Sequence, residues 1–130
     1  MNNSELIKAA LDARKFSYSP YSGFAVGAAL LCKDGSLYTG CNIENSAFSP
    51  TNCAERTAFF KAVSEGKKEF EKIAVVASSG DYASPCGICR QVLFEFMPDG
   101  KVILDSDEKG MMVFTARELL PFGFSSADLK

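Results

Sequence analysis

The chain predicts a three-layer α/β/α sandwich on a mixed five-stranded sheet, in one domain over residues 1–130. Helix-period and strand-period segments alternate in the order α-β-β-α-β-α-β-β-α, a pattern that buries its apolar faces as a sheet covered by helices. Ile73-Ala74-Val75-Val76-Ala77 is apolar without a break, as expected of a central strand covered on both faces. With 130 residues, 47% apolar and 23% charged, the chain has the balance of an ordinary globular domain. That length buries roughly two thirds of the unfolded surface around one core.

In order along the chain, Ser4 to Phe16 carries Leu6, Ile7, Ala10, Leu11 and Ala13 at helical spacing, with Asn3 or Ser4 as N-cap. Ser19-Pro20-Tyr21-Ser22-Gly23 breaks that helix. Phe24 to Leu31 and Leu37 to Asn42 flank the turn Lys33-Asp34-Gly35-Ser36 and read as a β-hairpin. After the polar stretch Glu44 to Asn52, Cys53 to Val63 forms a second helix ending near Gly66. Lys72 to Ser78 is the central strand and Gly80 to Pro85 a loop. Cys86 to Met97 is a third helix stopped by Pro98-Asp99-Gly100. Lys101 to Asp105 and Met111 to Thr115 make a second hairpin around Ser106–Gly110, and Arg117 to Leu120 begins a last helical turn before Pro121. The chain has no repeats, linkers or low-complexity stretches.

Histidine is absent, which excludes Ser-His-Asp and Cys-His catalysis and every His-ligated metal site within this chain. Acid–base chemistry must then use carboxylates, Cys, Lys or Tyr, and a metal must use Cys, Asp or Glu. The net charge of -2 leaves no basic footprint for nucleic acid beyond Lys67-Lys68, read as a solvated helix face. No apolar run approaches the ~20 residues of a membrane span, so no membrane partner is expected. The N-terminal stretch alternates charged and apolar residues unlike a signal peptide, and the expected location is the cytoplasm. In that reducing compartment the 5 Cys are ligands, nucleophiles or buried fillers rather than disulfides.

Three of those thiols open helices: Cys53 the second, Cys86 and Cys89 the third. A helix N-terminus lowers a thiolate pKa through its unpaired N–H groups. At i and i+3, Cys86 and Cys89 share one face of the first turn, so both sulfurs can reach one ion. A structural zinc site wants four protein ligands; a catalytic one takes three and leaves a position for water. Cys32 and Cys41 lie on the first hairpin and are read as small fillers, although either is a conceivable fourth ligand. Glu55, two residues after Cys53, is by itself a first-turn acid complementing the helix dipole. With the thiols beside it, it becomes a carboxylate placed to take a proton from a metal-activated water.

Together these residues resemble a family. Zinc deaminases carry the signature H-x-E…P-C-x-x-C, and Cys53 stands where that signature writes His. The stretches Pro20-Tyr21-Ser22-Gly23-Phe24-Ala25-Val26-Gly27-Ala28-Ala29, Asn42-Ile43-Glu44-Asn45-Ser46, Cys53-Ala54-Glu55-Arg56-Thr57-Ala58, Ser84-Pro85-Cys86-Gly87-Ile88-Cys89-Arg90-Gln91 and Leu119-Leu120-Pro121 with Phe124 resemble the small, homotetrameric cytidine deaminases. The resemblance implies one Zn²⁺ per subunit on Cys53, Cys86 and Cys89, with water in the fourth position attacking C4 of cytosine. Glu55 would carry the proton to N3 and then to the amine leaving as ammonia, in pyrimidine salvage of cytidine and 2'-deoxycytidine. Asn42 and Glu44 match the ribose-binding Asn-x-Glu, a donor and acceptor suited to sugar hydroxyls. Phe24 matches the aromatic on the pyrimidine, and backbone groups of Ala54 and Cys86 the readers of the base edge.

Zn²⁺ with three thiolates carries one net negative charge, which makes its water less acidic. Arg56 matches the guanidinium that withdraws this charge by donating to the sulfurs; Arg90 would assist or cap the helix face. Phe124 matches a ring inserted into a neighbouring subunit's active site in a homotetramer. At Phe48 the family commonly has Tyr, so the ring is kept and a hydrogen bond lost. Three other readings compete. A thioredoxin-like pair Cys86/Cys89 leaves Cys53 and Glu55 without a role. A zinc-stabilised interaction module needs Cys32 or Cys41 as a fourth ligand. A deaminase of another substrate uses the same core; the acidic charge counts against tRNA and the Asn-x-Glu pair against a free base, which leaves aminonucleosides such as blasticidin S.

Overall fold

The computed structural model describes residues 1–129. Helix α1 (Asn3–Arg14) precedes the hairpin β1 (Val26–Cys32) and β2 (Leu37–Cys41), followed by α2 (Ala54–Ser64), β3 (Phe70–Ala77) and α3 (Gly87–Phe96). The chain continues through β4 (Lys101–Leu104), β5 (Met112–Thr115), α4 (Ala116–Leu119) and a closing 3₁₀ turn, Ser126–Leu129. The five strands form one mixed sheet in the order β2-β1-β3-β4-β5. β1 is antiparallel to both β2 and β3, β3 is parallel to β4, and β4 is antiparallel to β5.

Strand periodicity sorts the core into two halves. Ala28, Leu30 and Cys32 face one side of β1, where Phe59 and Ala62 of α2 and Leu93 of α3 pack with Ile73 and Val75. Ala29 and Leu31 face the other side, where Leu6, Ile7 and Ala10 of α1 meet Ala74, Val76 and Ile103. The unbroken apolar run of β3 is therefore explained by burial on both faces. Phe59 also meets Phe70 and Phe96, with ring centroids 5.0 Å and 5.9 Å away. The α/β/α sandwich expected from the sequence is the fold observed.

The differences are local. The N-cap of α1 is Asn2, not Asn3 or Ser4; its side chain accepts from the Glu5 N–H, and the Glu5 carboxylate accepts from the Asn2 N–H. A reciprocal capping box outweighs the simple presence of Ser4. Lys67-Lys68 is not a helix face. Gly66, at φ 89°, ends α2, with the Gly66 N–H bonded to Val63 O and the Lys67 N–H to Ala62 O. That is a Schellman stop, so both lysines lie beyond it, and Lys67 pairs with Asp34 at 2.8 Å. The 3₁₀ turn at 126–129 has no signal in the sequence pattern.

Because β2 and β3 are both antiparallel to β1, they run in the same direction, and the helices that follow them both start at one edge of the sheet. That edge is the crevice beyond the strand carboxyl ends, where open α/β sheets bind ligands. Gly40 lets α2 sit close to β2: a Cβ there would lie 2.5 Å from Ala54 O and 2.6 Å from Ala58 N. The α2 N-terminus is thereby pressed onto the sheet next to that of α3.

Candidate active site

Cys53 and Cys86 are the N-cap residues of α2 and α3, and neither side chain caps its own helix. Their sulfurs remain available and converge, with Cys53 Sγ 3.7 Å from Cys86 Sγ. Cys89, one turn into α3 and fully buried, completes a cluster whose three sulfurs lie within 4.8 Å of one another. Tetrahedral zinc with Zn–S of about 2.3 Å separates its sulfurs by roughly 3.8 Å, so the donor set and its spacing fit the ion. Among the described residues this is the one cluster of metal-ligating side chains of that kind. Cys32 lies inside the core and Cys41 is half-buried on β2; neither joins the cluster.

The electrostatics favour thiolate at Cys53. The Cys53 pKa is pulled down to about 5, first by the hydrogen bond it shares with Cys89, then by Arg56 and Cys86, against the cost of burial. Cys89 carries the complementary shift: donating to the Cys53 thiolate and buried, its thiol is held protonated with a raised pKa. Arg56, on the first turn of α2, places Nη2 3.3 Å from Cys53 Sγ. Its Nε–H is buried and has no oxygen or nitrogen partner among the described residues.

Glu55 is 5% exposed. Burial raises its pKa to about 7; the Cys53 charge adds to the rise and the backbone N–H opposes it. A carboxyl poised near neutrality beside a metal-ligand cluster can both accept and return a proton.

A cleft of about 500 Å³ opens above these groups. Phe24, Asn42, Glu44, Ala54, Glu55, Cys53 and Cys86, far apart along the chain, all line it. Asn42 is largely committed to structure: Nδ2 donates to Phe24 O at 2.8 Å, and Oδ1 accepts from the Val26 N–H and the Ser17 hydroxyl. Glu44 accepts from the Tyr21 and Ser22 N–H groups at 3.0 and 3.1 Å and from the Ser22 hydroxyl. Those bonds hold its carboxyl below the usual range, the Ser22 hydroxyl contributing most.

One role expected from the sequence changes. Arg90 serves neither the sulfurs nor the helix face: Nε donates to Pro85 O at 2.7 Å and Nη1 to Leu119 O at 2.9 Å, tying the loop before Cys86 to the C-terminal segment. Phe124 does not line the cleft of its own chain; it is 55% exposed, with its carbonyl held by Gln91 Nε2. Phe48 adopts φ 59° and sets its exposed ring edge-on to Tyr21, with centroids 6.1 Å apart. The other cleft residues include Ser22, signalled in the sequence only by its place in the turn before Phe24, and Tyr82, which has no signal beyond being aromatic in a polar loop.

A buried carboxyl beside three convergent thiols, at the strand-end crevice of an α/β/α sandwich, defines a zinc hydrolase of the metal-water-carboxylate class. The model of the cytidine and deoxycytidylate deaminase zinc-binding region matches residues 1–105. The chain is 52% identical over 130 residues to a cytidine deaminase of Sporosarcina psychrophila, covering 99% of this chain and 96% of that one. It is 51% identical over 130 residues to one of Halalkalibacterium halodurans, with 99% and 98% covered. The crystal structure of cytidine deaminase from Burkholderia pseudomallei superposes with a TM-score of 0.91 at 45% identity, over 95% of this chain and 100% of that one. This chain belongs to the cytidine and deoxycytidylate deaminase zinc-binding family.

Proposed function

We propose that this chain, acting as one catalytic domain over residues 1–130, hydrolyses cytidine and 2'-deoxycytidine to uridine and 2'-deoxyuridine with release of ammonia. The observation that carries the reading is Glu55: a carboxyl 5% exposed, lining the same cleft as the Cys53 and Cys86 ligands and the polar pair Asn42 and Glu44.

Cys53, Cys86 and Cys89 would hold Zn²⁺, which would supply Lewis-acid activation of water when bound. The remaining work falls to the chain's own residues. Phe24 packs on the pyrimidine, while backbone groups at Ala54 and Cys86 read its edge. Asn42 keeps one amide hydrogen and Glu44 its remaining lone pairs for sugar hydroxyls. Glu55 takes one proton from the attacking water and delivers it to N3 as the hydroxyl adds to C4, then takes the second proton from that hydroxyl and delivers it to the exocyclic amine. The C4–N bond breaks with its electron pair on nitrogen, ammonia departs and the C4 carbonyl remains. Arg56, donating to Cys53 Sγ, drains charge from the thiolates and restores acidity to the site.

The same reading makes the protein a cytoplasmic homotetramer in pyrimidine salvage. Phe122 is fully exposed and Phe124 half-exposed on the C-terminal segment, apolar surface suited to burial against another copy. Phe124 then reaches a neighbour's cleft.

The test is deamination followed by ultraviolet absorbance, with wild-type and Glu55→Ala protein at matched zinc content. Cytidine turnover that collapses in the variant establishes both reaction and proton carrier. No turnover at about one zinc per chain overturns the substrate assignment and leaves aminonucleosides such as blasticidin S.

A further inference from the structure

The loop Ser79–Pro85 leads from β3 to the ligand Cys86, and Tyr82 on it lines the cleft. A loop of this composition, with Gly80, Ser79 and Ser84, has little reason of its own to hold one shape. Four contacts from the β4–β5 connection hold it. The Tyr82 hydroxyl donates to Gly110 O at 2.8 Å. The Asp107 N–H donates to Gly80 O at 2.9 Å. Lys109 Nζ lies 3.7 Å from Asp81 Oδ2 and 5.9 Å from the centre of the Tyr82 ring. Gly80 holds φ 75°, a left-handed conformation that glycine adopts freely, and lies against the Asp107 carboxylate. The Tyr82 ring itself packs on the buried core under α2 and α3, so its apolar face and its hydroxyl are both fixed.

We propose that Tyr82 is a substrate-positioning residue: its ring is a wall of the nucleoside cleft on the Cys86 side, and the β4–β5 connection is the brace that holds that wall through Gly110 and Lys109. The inference rests on the deaminase reading for its substrate. The ring limits the width of the cleft, and the braced loop limits how far Cys86, the exposed ligand, moves away from Cys53 and Cys89. The two consequences differ in kind, because one is read in substrate binding and the other in metal release.

Tyr82→Phe keeps the ring and deletes the bond to Gly110. Lys109→Met removes the cation and the Asp81 pair from outside the cleft. For zinc-loaded protein the expected result for Tyr82→Phe is a KM for cytidine raised about three- to ten-fold at unchanged kcat, the scale of one lost hydrogen bond. Zinc transfer to a chromophoric chelator should accelerate by a similar factor, with the thermal midpoint little changed. Lys109→Met should move both readouts the same way by less. KM and zinc release both equal to wild type in Tyr82→Phe would overturn the brace, as would a fall in kcat alone at constant KM. If the wild type itself does not deaminate cytidine, the substrate reading fails, and zinc release in the two variants still decides the brace.

Discussion

Arg56 Nη2 stands 3.3 Å from Cys53 Sγ, one helical turn from the thiol it serves, so the site carries a cation supplied by the same helix as its first ligand. On the proposed reading, in a site without histidine, this contact would offset the surplus charge of three zinc-bound thiolates. Arg56→Gln keeps a polar side chain and removes the charge. The expected outcome is a folded protein that still binds zinc and loses about 10- to 100-fold in kcat or metal affinity. Steady-state kinetics beside metal analysis checks this, and unchanged kinetics would refute it.

Glu55 is buried with its pKa raised to about 7, as suits a group that gives and takes protons near neutrality. Glu55→Gln preserves size and burial while removing proton transfer. Turnover should fall by about 10²- to 10⁴-fold with zinc content intact. A variant that loses zinc in parallel would instead make Glu55 a ligand.

The cysteines divide by position. Cys86→Ser should lose stoichiometric zinc, because its sulfur is one of the three in the cluster. Cys41→Ser should retain it. Cys32→Ser should also retain it but unfold at lower denaturant, by about 1–3 kcal/mol, since a hydroxyl replaces a thiol that is 1% exposed in the core. Release of metal by Cys32→Ser or Cys41→Ser would revive a four-thiolate structural site.

Glu44 has a pH signature. Its carboxyl is held below its ordinary value of 4.5, chiefly by the Ser22 hydroxyl with help from the Ser22 and Tyr21 N–H groups. A depressed folded-state pKa means that the charged form stabilises the fold above the unfolded value, and the benefit is lost as pH falls through the folded one. Glu44→Gln should therefore be less stable than wild type at neutral pH. The difference in thermal midpoint should shrink steadily below about pH 4. A difference independent of pH would assign the effect to shape rather than charge.

Phe59 anchors the half of the core beneath the site, fully buried against Phe70 and Phe96. Phe59→Ala should cost about 3–5 kcal/mol in denaturant unfolding. Because α2 begins at the site and packs through this ring, zinc occupancy should fall with it.

Chemistry and layering are legible in the chain before any fold. Zero histidines exclude imidazole from the metal donors, while a Cys-x-Glu-Arg at one helix start and a Cys-x-x-Cys at the next point to thiolates and nominate Glu55. The i, i+3 spacing places Cys86 and Cys89 on one face of one helix. The unbroken run in β3 announces a strand covered twice, because residues on both pleat faces have to be apolar. Local stops follow finer rules: the Asn2 capping box and the turn at Gly66 depend on backbone bonds that a choice between neighbouring polar residues does not reveal. Folding alone brings Cys53 to Cys86, since their approach follows from β2 and β3 running the same way on either side of β1. Likewise, Arg90 is diverted to the Pro85 and Leu119 carbonyls, and Tyr82 is set against Gly110. Each of those pairings depends on how loops and chain ends lie against one another, and no periodicity along one segment encodes which carbonyl is left unpaired.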